Sequence, residues 1–131
     1  EGLVMAECSE GCCGYKNEGN AYMAMQAYGK ALKSYTAALA ADPDNPILRT
    51  NRAAAHYNLG HYLESLADAN AAIAADPTWW KAYKRKALSL FSLERYDDAL
   101  TTLEKAVEER FPDNKELRDN LAALNKRFER V

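Results

Sequence analysis

Apolar and small residues recur three and four positions apart along most of this chain, and strand-like alternation is missing. This spacing places them on one face of an α-helix. Helix-breaking segments interrupt the pattern at D-P-D-N-P (42–46), Gly60, D-P (76–77) and F-P-D-N (111–114). The pattern therefore predicts an all-α protein. The predicted helices span about 12–25, 28–41, 46–59, 62–75, 80–93, 96–110 and 114–129.

The chain also repeats itself with a period of 34 residues. The segment A-L-A-A-D-P ends at Pro43, and A-I-A-A-D-P ends at Pro77. Several columns keep their residue type in three copies at this offset: Tyr28, Tyr62 and Tyr96; Leu32, Leu66 and Leu100; Ala31, Ser65 and Ala99; Ala38, Ala72 and Ala106. Small residues at fixed columns let neighbouring helices approach closely. We therefore expect these columns to lie in the core, where a bulky replacement overpacks.

The seventh predicted helix lies outside the three copies. Leu117, Leu121, Leu124 and Phe128 form one stripe along it, and polar residues cover the rest. This pattern is typical of a helix that caps the open end of a stack of repeats. We expect repeats at about 12–45, 46–79 and 80–113, a capping helix at about 114–129, and a flexible Cys-containing segment at 1–11.

The repeat resembles the tetratricopeptide repeat. The first copy supplies Tyr15, Gly19, Tyr22, Ala31, Tyr35, Ala38 and Pro43; the second supplies Ala53, His56, Ser65, Ala69, Ala72 and Pro77; the third supplies Tyr83, Ala87, Leu90, Ala99, Leu103 and Ala106. The third proline is Pro112, one residue late, which suggests an extra residue in the last turn before the capping helix. The resemblance implies a right-handed superhelix whose first helices line a concave groove.

Polar residues of the first helices converge on one face. Lys81 and Arg85 lie one turn apart in the stretch K-A-Y-K-R-K-A, Lys16 and Asn20 lie in the first repeat, and Asn51 lies in the second. Counted within their repeats, these positions share an arc of about 100° away from the core side. Ammonium and guanidinium groups are complements of carboxylates, and carboxamides can hold a peptide backbone. The sequence therefore predicts recognition of two close carboxylates on an extended chain.

The segments K-N-E-G-N, T-N-R-A-A-A and K-A-Y-K-R-K-A resemble the dicarboxylate clamp of chaperone-binding tetratricopeptide domains. The resemblance implies that the five polar residues hold the C-terminal Glu-Glu-Val-Asp of the seventy- or ninety-kilodalton heat-shock proteins. Tyr57 and Asn58 are expected to line the pocket upstream of the terminal Asp, and Ala54 leaves room for the Val side chain. Phe91 and Ser92 are further candidates.

Two other functions stay open. The chain could be a generic protein-binding solenoid, or the targeting module of a larger enzyme such as a phosphatase or prolyl isomerase. No G-x-G-x-x-G, G-x-S-x-G, H-E-x-x-H or C-x-x-C signature occurs, so we expect neither catalysis nor a cofactor within these residues. We also expect a monomer, although the Leu stripe of the capping helix could instead mediate dimer contacts.

Composition narrows the class of partner. A net charge of -2 and a pI of about 5.7 argue against nucleic-acid binding, and the longest apolar runs are too short to cross a bilayer. The three cysteines, Cys8, Cys12 and Cys13, lack metal-site spacing and indicate a reducing, cytoplasmic compartment. We expect His56 to be a packing residue, His61 to be solvated, and the acidic residues to lie on outer faces.

Overall fold

The computed structural model describes residues 12–127. Within this range the chain forms seven α-helices and one π-helical turn. They are α1 (Cys12–Ala24), α2 (Tyr28–Ala41), α3 (Pro46–Asn58), α4 (Tyr62–Ala75), α5 (Trp80–Ser92), α6 (Tyr96–Lys105), the π-helical turn (Ala106–Arg110) and α7 (Lys115–Arg127). Six predicted helices agree with these bounds to within two residues over the described range, and the predicted end of the seventh at 129 lies outside it. The one predicted at 96–110 is divided between α6 and the π-helical turn.

The helices pack as pairs, and the pairs stack on one another. Each helix from α1 to α6 contacts the next along the chain, and α3 also contacts α5 directly. The first helices of neighbouring pairs therefore lie side by side. α7 packs on α6 and closes the last pair. The predicted architecture of three helix pairs and a capping helix is confirmed.

Small residues at the repeating columns lie in the core. Ala31, Ala38, Ala72 and Ala99 are fully buried. At Gly19 there is no room even for an alanine, because a Cβ built on it would lie 2.6 Å from Cε1 of Tyr35. The aromatic ring of α2 therefore packs directly on the backbone of α1, and only a glycine permits that approach.

The late proline of the third repeat is explained by the π-helical turn. Asp42 N–H donates to the carbonyl of Ala38 at the end of α2, a bond of the α-helical type. In the third repeat Phe111 N–H donates to the carbonyl of Ala106, one residue further back than in an α-helix. The extra residue is absorbed by this wider turn, as the sequence suggests. Phe111 then packs edge-on against Tyr83, with ring centroids 5.6 Å apart.

The capping helix is held at its start and along its stripe. Asn114 Oδ1 accepts a hydrogen bond of 3.0 Å from Leu117 N–H, which satisfies a free donor of the first turn. Leu117 and Leu124 are buried against α5 and α6. Phe128, which the stripe also includes, lies outside the described residues.

The expectation that acidic residues lie on outer faces is wrong for Asp68. This residue of α4 is only 3% exposed. Its oxygens accept hydrogen bonds of 2.8 and 2.9 Å from Nε and Nη2 of Arg52 and one of 3.2 Å from Nη1 of Arg49. The carboxylate can be buried because two guanidinium groups from α3 replace its hydration.

No helix in the described part of the chain is long and apolar enough to span a membrane.

Candidate functional site

Two of the predicted site residues are in direct contact across neighbouring helices. Asn51 Nδ2 on α3 donates to Asn20 Oδ1 on α1 at 3.4 Å. The two carboxamides therefore form one polar surface on the side of the first helices. Lys16 lies one turn before Asn20 on α1 and is half-buried.

A third residue determines the orientation of Asn20. The buried Tyr35 donates its hydroxyl hydrogen to Asn20 Oδ1 at 2.5 Å. Burial raises the pKa of Tyr35 to about 12, so the phenol stays protonated and acts as a donor at neutral pH. With Oδ1 engaged by Tyr35 and Asn51, the amide hydrogens of Asn20 point away from both. The sequence placed Tyr35 in a packing column, and nothing in its pattern indicates this hydrogen bond.

α5 supplies two cations that form no ion pair with the described residues. Within residues 12–127, neither Lys81 nor Arg85 forms an ion pair, and Lys16 on α1 forms none either. The exposed ammonium of Lys81 lies 5.6 Å from the ring centroid of Trp79 and 5.8 Å from that of Trp80. These rings restrict the lysine without neutralising it.

Arg85 connects α5 to α3. Its guanidinium carbon lies 5.7 Å from the ring centroid of Tyr57. Burial lowers the pKa of Arg85 from its ordinary value, while Tyr57 and Glu116 act in the opposite direction. Arginine remains charged at neutral pH. A partly dehydrated cation of this kind gains more from an incoming carboxylate than an exposed one.

Tyr57 and Asn58, the predicted flanking residues of the site, make different contacts. Tyr57 accepts a hydrogen bond of 3.3 Å from Ser92 Oγ and so joins α3 to the end of α5. Asn58 is exposed and donates to the carbonyl of Ala54, one turn back on its own helix, at 2.8 Å. The structure therefore brings Tyr57 to Arg85, whereas the amide of Asn58 is engaged within α3.

The histidines pair with each other. Nδ1 of His56 and Nδ1 of His61 lie 3.2 Å apart, and His56 Nε2 lies 4.0 Å from Asp68. His61 is exposed and His56 half-buried, as expected. Burial lowers the pKa of His56, opposed by Asp68 and Glu64 and reinforced by Arg52 and His61.

The described residues contain no cluster of three His, Cys, Asp or Glu side chains that could hold a metal ion. Cys8 and the side chains of Cys12 and Cys13 lie outside what the structure describes.

Two family sequence profiles match this chain, in agreement with its stacked helix pairs and 34-residue period. One, described as "TPR repeat", matches residues 19–60, and another, described as "Tetratricopeptide repeat", matches residues 84–127. The chain belongs to the tetratricopeptide-repeat family. This tetratricopeptide domain is 39% identical over 110 residues to RNA polymerase II-associated protein 3 of Mus musculus. The match covers 84% of this chain and 16% of that protein, so the domain spans about a sixth of this relative.

Solved structures share the fold of the domain. The first TPR of Spaghetti (RPAP3), bound to the HSP90 peptide SRMEEVD, is 32% identical with a TM-score of 0.82, covering 92% of this chain and 97% of that one. The second TPR domain of human RPAP3, in complex with the HSP70 peptide SGPTIEEVD, is 29% identical with a TM-score of 0.76, covering 85% and 92%. The helix pairs of this domain thus form the tetratricopeptide superhelix.

Proposed function

We propose that this domain binds the acidic C-terminal Glu-Glu-Val-Asp tail of cytosolic heat-shock chaperones of the seventy- and ninety-kilodalton classes, and that it serves as a cytoplasmic co-chaperone module without catalysis of its own. The observation that carries the proposal is the contact of Asn20 with Asn51 on first helices whose cations Lys16, Lys81 and Arg85 form no ion pair within residues 12–127. Unpaired cations next to oriented amide donors form a site that an anion completes.

The mechanism is docking of an extended tail into the groove. The terminal Asp offers a side-chain carboxylate and an α-carboxylate, which pair with the two carboxamides and with Lys16 and Lys81. Arg85, one turn further along α5, reaches a group upstream in the tail. Each charge-assisted hydrogen bond contributes about 1.5–3 kcal/mol. Ordering the flexible tail offsets much of this, so we expect affinity on the order of 1 μM, weakening with salt.

The solved relatives support this choice of ligand. The two peptides bound to them share the C-terminal sequence Glu-Glu-Val-Asp, and each relative covers most of this domain.

We propose that the domain responsible for this binding spans residues 12–131.

Calorimetric titration with Met-Glu-Glu-Val-Asp tests the proposal. The peptide with a free C-terminus should bind, and the same peptide with an amidated C-terminus should bind at least about tenfold more weakly, because amidation removes one carboxylate. Lys81→Ala, a change at an exposed residue, should weaken binding of the free acid without lowering the melting temperature. Arg85→Ala should also weaken binding. Lys33→Ala on the exposed side of α2 is the matched control and should bind as the parent does.

Two results would contradict the proposal. Equal binding of the free and amidated peptides would mean that the terminal carboxylate is not recognised. Binding unaffected by loss of Lys81 or Arg85 would place the partner on another surface, as a generic scaffold requires.

A further inference from the structure

We propose that His56 and His61, at the turn between α3 and α4, form a two-ligand site for Zn²⁺ and the other divalent ions that imidazole prefers. The inference goes beyond the proposed tail binding and does not depend on it, because neither histidine belongs to the clamp. It assigns a role to the two histidines that the chain contains.

The backbone of this turn holds the two residues in a fixed relation. His61 N–H donates to the carbonyl of His56 at 2.8 Å, and Gly60 N–H donates to the carbonyl of Tyr57 at 3.0 Å. These two bonds, with Gly60 in the left-handed conformation at a φ of 82°, form a Schellman motif. The side chains at the two ends of its longer bond contact each other across the turn. The two imidazoles are therefore brought together by an ordered helix end.

The pair of imidazoles distinguishes this turn from its two counterparts. After α1, Ala27 N–H donates to the carbonyl of Tyr22 in the same way. After α5, Arg95 N–H donates to the carbonyl of Leu90. Both counterparts form the motif without a histidine, and the side-chain contact in such turns is usually apolar. Formation of the turn therefore does not require imidazoles, which leaves their pairing to be explained by what they bind.

The separation of the two ring nitrogens suits a chelated metal ion. Nδ1 of His56 lies 3.2 Å from Nδ1 of His61. With Zn–N bonds of about 2.0–2.1 Å, a separation of 3.2 Å corresponds to an N–Zn–N angle of about 100°, close to tetrahedral geometry. A bound ion replaces the hydrogen that one neutral ring donates to the other. The rings thus need little movement to become ligands.

Asp68 lies at the other ring nitrogen of His56. Its Oδ2 is 4.0 Å from Nε2, whereas Nδ1 faces His61. A carboxylate on this side favours the tautomer with its hydrogen on Nε2, so Nδ1 keeps the lone pair that a metal ion needs. Histidines that bind metal ions generally have such a partner at their second nitrogen. The surroundings of His56 therefore match those of a metal ligand.

The pair is accessible to an ion from solution. His61 is exposed, and 14% of the His56 side chain is exposed. No third His, Cys, Asp or Glu completes a metal-binding cluster within residues 12–127, so water fills the remaining coordination positions. Imidazole nitrogens favour Zn²⁺, Ni²⁺ and Cu²⁺ over Mg²⁺ and Ca²⁺. A bound ion ties the end of α3 to the start of α4 and so stabilises the second helix pair.

Titration of the untagged protein with ZnCl₂, followed by nitrogen NMR of the imidazole rings, tests the site. Cys8, Cys12 and Cys13 are alkylated first, because thiolates bind the same ion. We expect the Nδ1 signals of both histidines to shift together and to saturate at one Zn²⁺ per chain. Zn²⁺ should also raise the melting temperature, since it binds the folded turn. MgCl₂ should shift neither signal.

A matched pair of variants assigns these effects to the histidines. His61→Ala removes one ligand at an exposed position whose side chain makes no capping hydrogen bond to α4, so the variant should fold. Its affinity for Zn²⁺ should fall at least about tenfold, and the rise in melting temperature should disappear. Leu63→Ala, at an exposed neighbour without a ligand atom, should bind Zn²⁺ as the parent does.

Three results would overturn the proposal. A shift of one histidine signal alone would mean that a single imidazole binds the ion, and no shift of either would mean that there is no site. Equal affinity of the parent and His61→Ala would place the ion elsewhere. All three leave the proposed tail binding intact, because that is tested with peptides and without metal.

Discussion

The hydroxyl of Tyr35 on α2 donates a 2.5 Å hydrogen bond to Oδ1 of Asn20 on α1, the same oxygen that Asn51 approaches from α3. A residue from the second helix of the first pair therefore orients a carboxamide of the first helix. The groove of the proposed clamp is thus determined partly by a residue that does not face it.

Tyr35→Phe tests this positioning role. The ring and its packing remain, but Asn20 loses the donor that orients it, so affinity for the free-acid Met-Glu-Glu-Val-Asp should fall by about tenfold, the equivalent of one hydrogen bond. Calorimetry on the single variant and on the double variant with Asn20→Ala measures the effect. In the Asn20→Ala background, Tyr35→Phe should have no further effect on affinity.

Tyr83→Phe is the matched control, because its hydroxyl also donates a hydrogen bond, of 2.8 Å, to the carbonyl of Pro77. It should change the melting temperature without changing affinity. If the effects of Tyr35→Phe and Asn20→Ala simply add, Tyr35 does not act through Asn20.

Gly19→Ala should destabilise the fold. The new methyl group would lie 2.6 and 2.8 Å from two ring atoms of Tyr35, which is itself buried and cannot turn away. We expect a loss of about 1–3 kcal/mol in the free energy of unfolding, typical of overpacking, measured by urea denaturation. Gly29→Ala on α2 has open space around its new methyl group and should be neutral or slightly stabilising. Equal stability of the two variants would contradict the close approach of α1 and α2.

Asp68→Ala should be among the most destabilising changes to a charged residue of this chain. It leaves Arg49 and Arg52, whose side chains are 27% and 21% exposed, without their shared carboxylate. A loss of about 3 kcal/mol is expected in chemical denaturation. Asp119→Ala, which removes an exposed pair with Lys115 on α7, should cost no more than about 0.5 kcal/mol. A small effect at Asp68 would mean that water replaces the carboxylate at little cost.

The stability of the domain should depend on pH through His56. Burial lowers its pKa in the folded state below the ordinary value of 6.5, so the unfolded chain binds the proton more readily. The stabilising effect of neutral His56 is therefore fully present above about pH 6.5 and is lost as the pH falls through the lower, folded-state pKa.

Urea denaturation at pH 7.5 and 5.5 measures this dependence. His56→Gln cannot be protonated and should show a smaller loss of stability between the two values. An equal loss in parent and variant would assign the pH dependence to other groups.

The helices and their order were predictable because their signals are local and repeated. Within each copy, the apolar spacing, the small residue at Ala38, Ala72 or Ala106 and the following proline lie within one helix and its turn. Three copies of a 34-residue unit repeat this local pattern. The late Pro112 even predicted the extra residue that the π-helical turn absorbs.

The site was predictable only as a set of residue types on one face. Helical geometry places Asn20, Asn51 and Lys81 on the first helices, but it does not say which atoms meet. The hydrogen bond from Tyr35 to Asn20 and the position of the Tyr57 ring beside Arg85 depend on the distance and angle between neighbouring helices.

By itself, the sequence determined the period through its repeated segments and the helix pairs through apolar spacing between breakers. It also predicted the polar face through the step of about 100° per residue of an α-helix. Only the tertiary structure decided that Asp68 is buried between two arginines and that Asn20 is held by Tyr35. These contacts join residues 15 to 19 positions apart and depend on side-chain rotamers in a packed interface. The sequence around an aspartate on a helix is the same whether its carboxylate is exposed to solvent or buried in an ion pair. Only the packing of neighbouring helices decides which of the two states occurs.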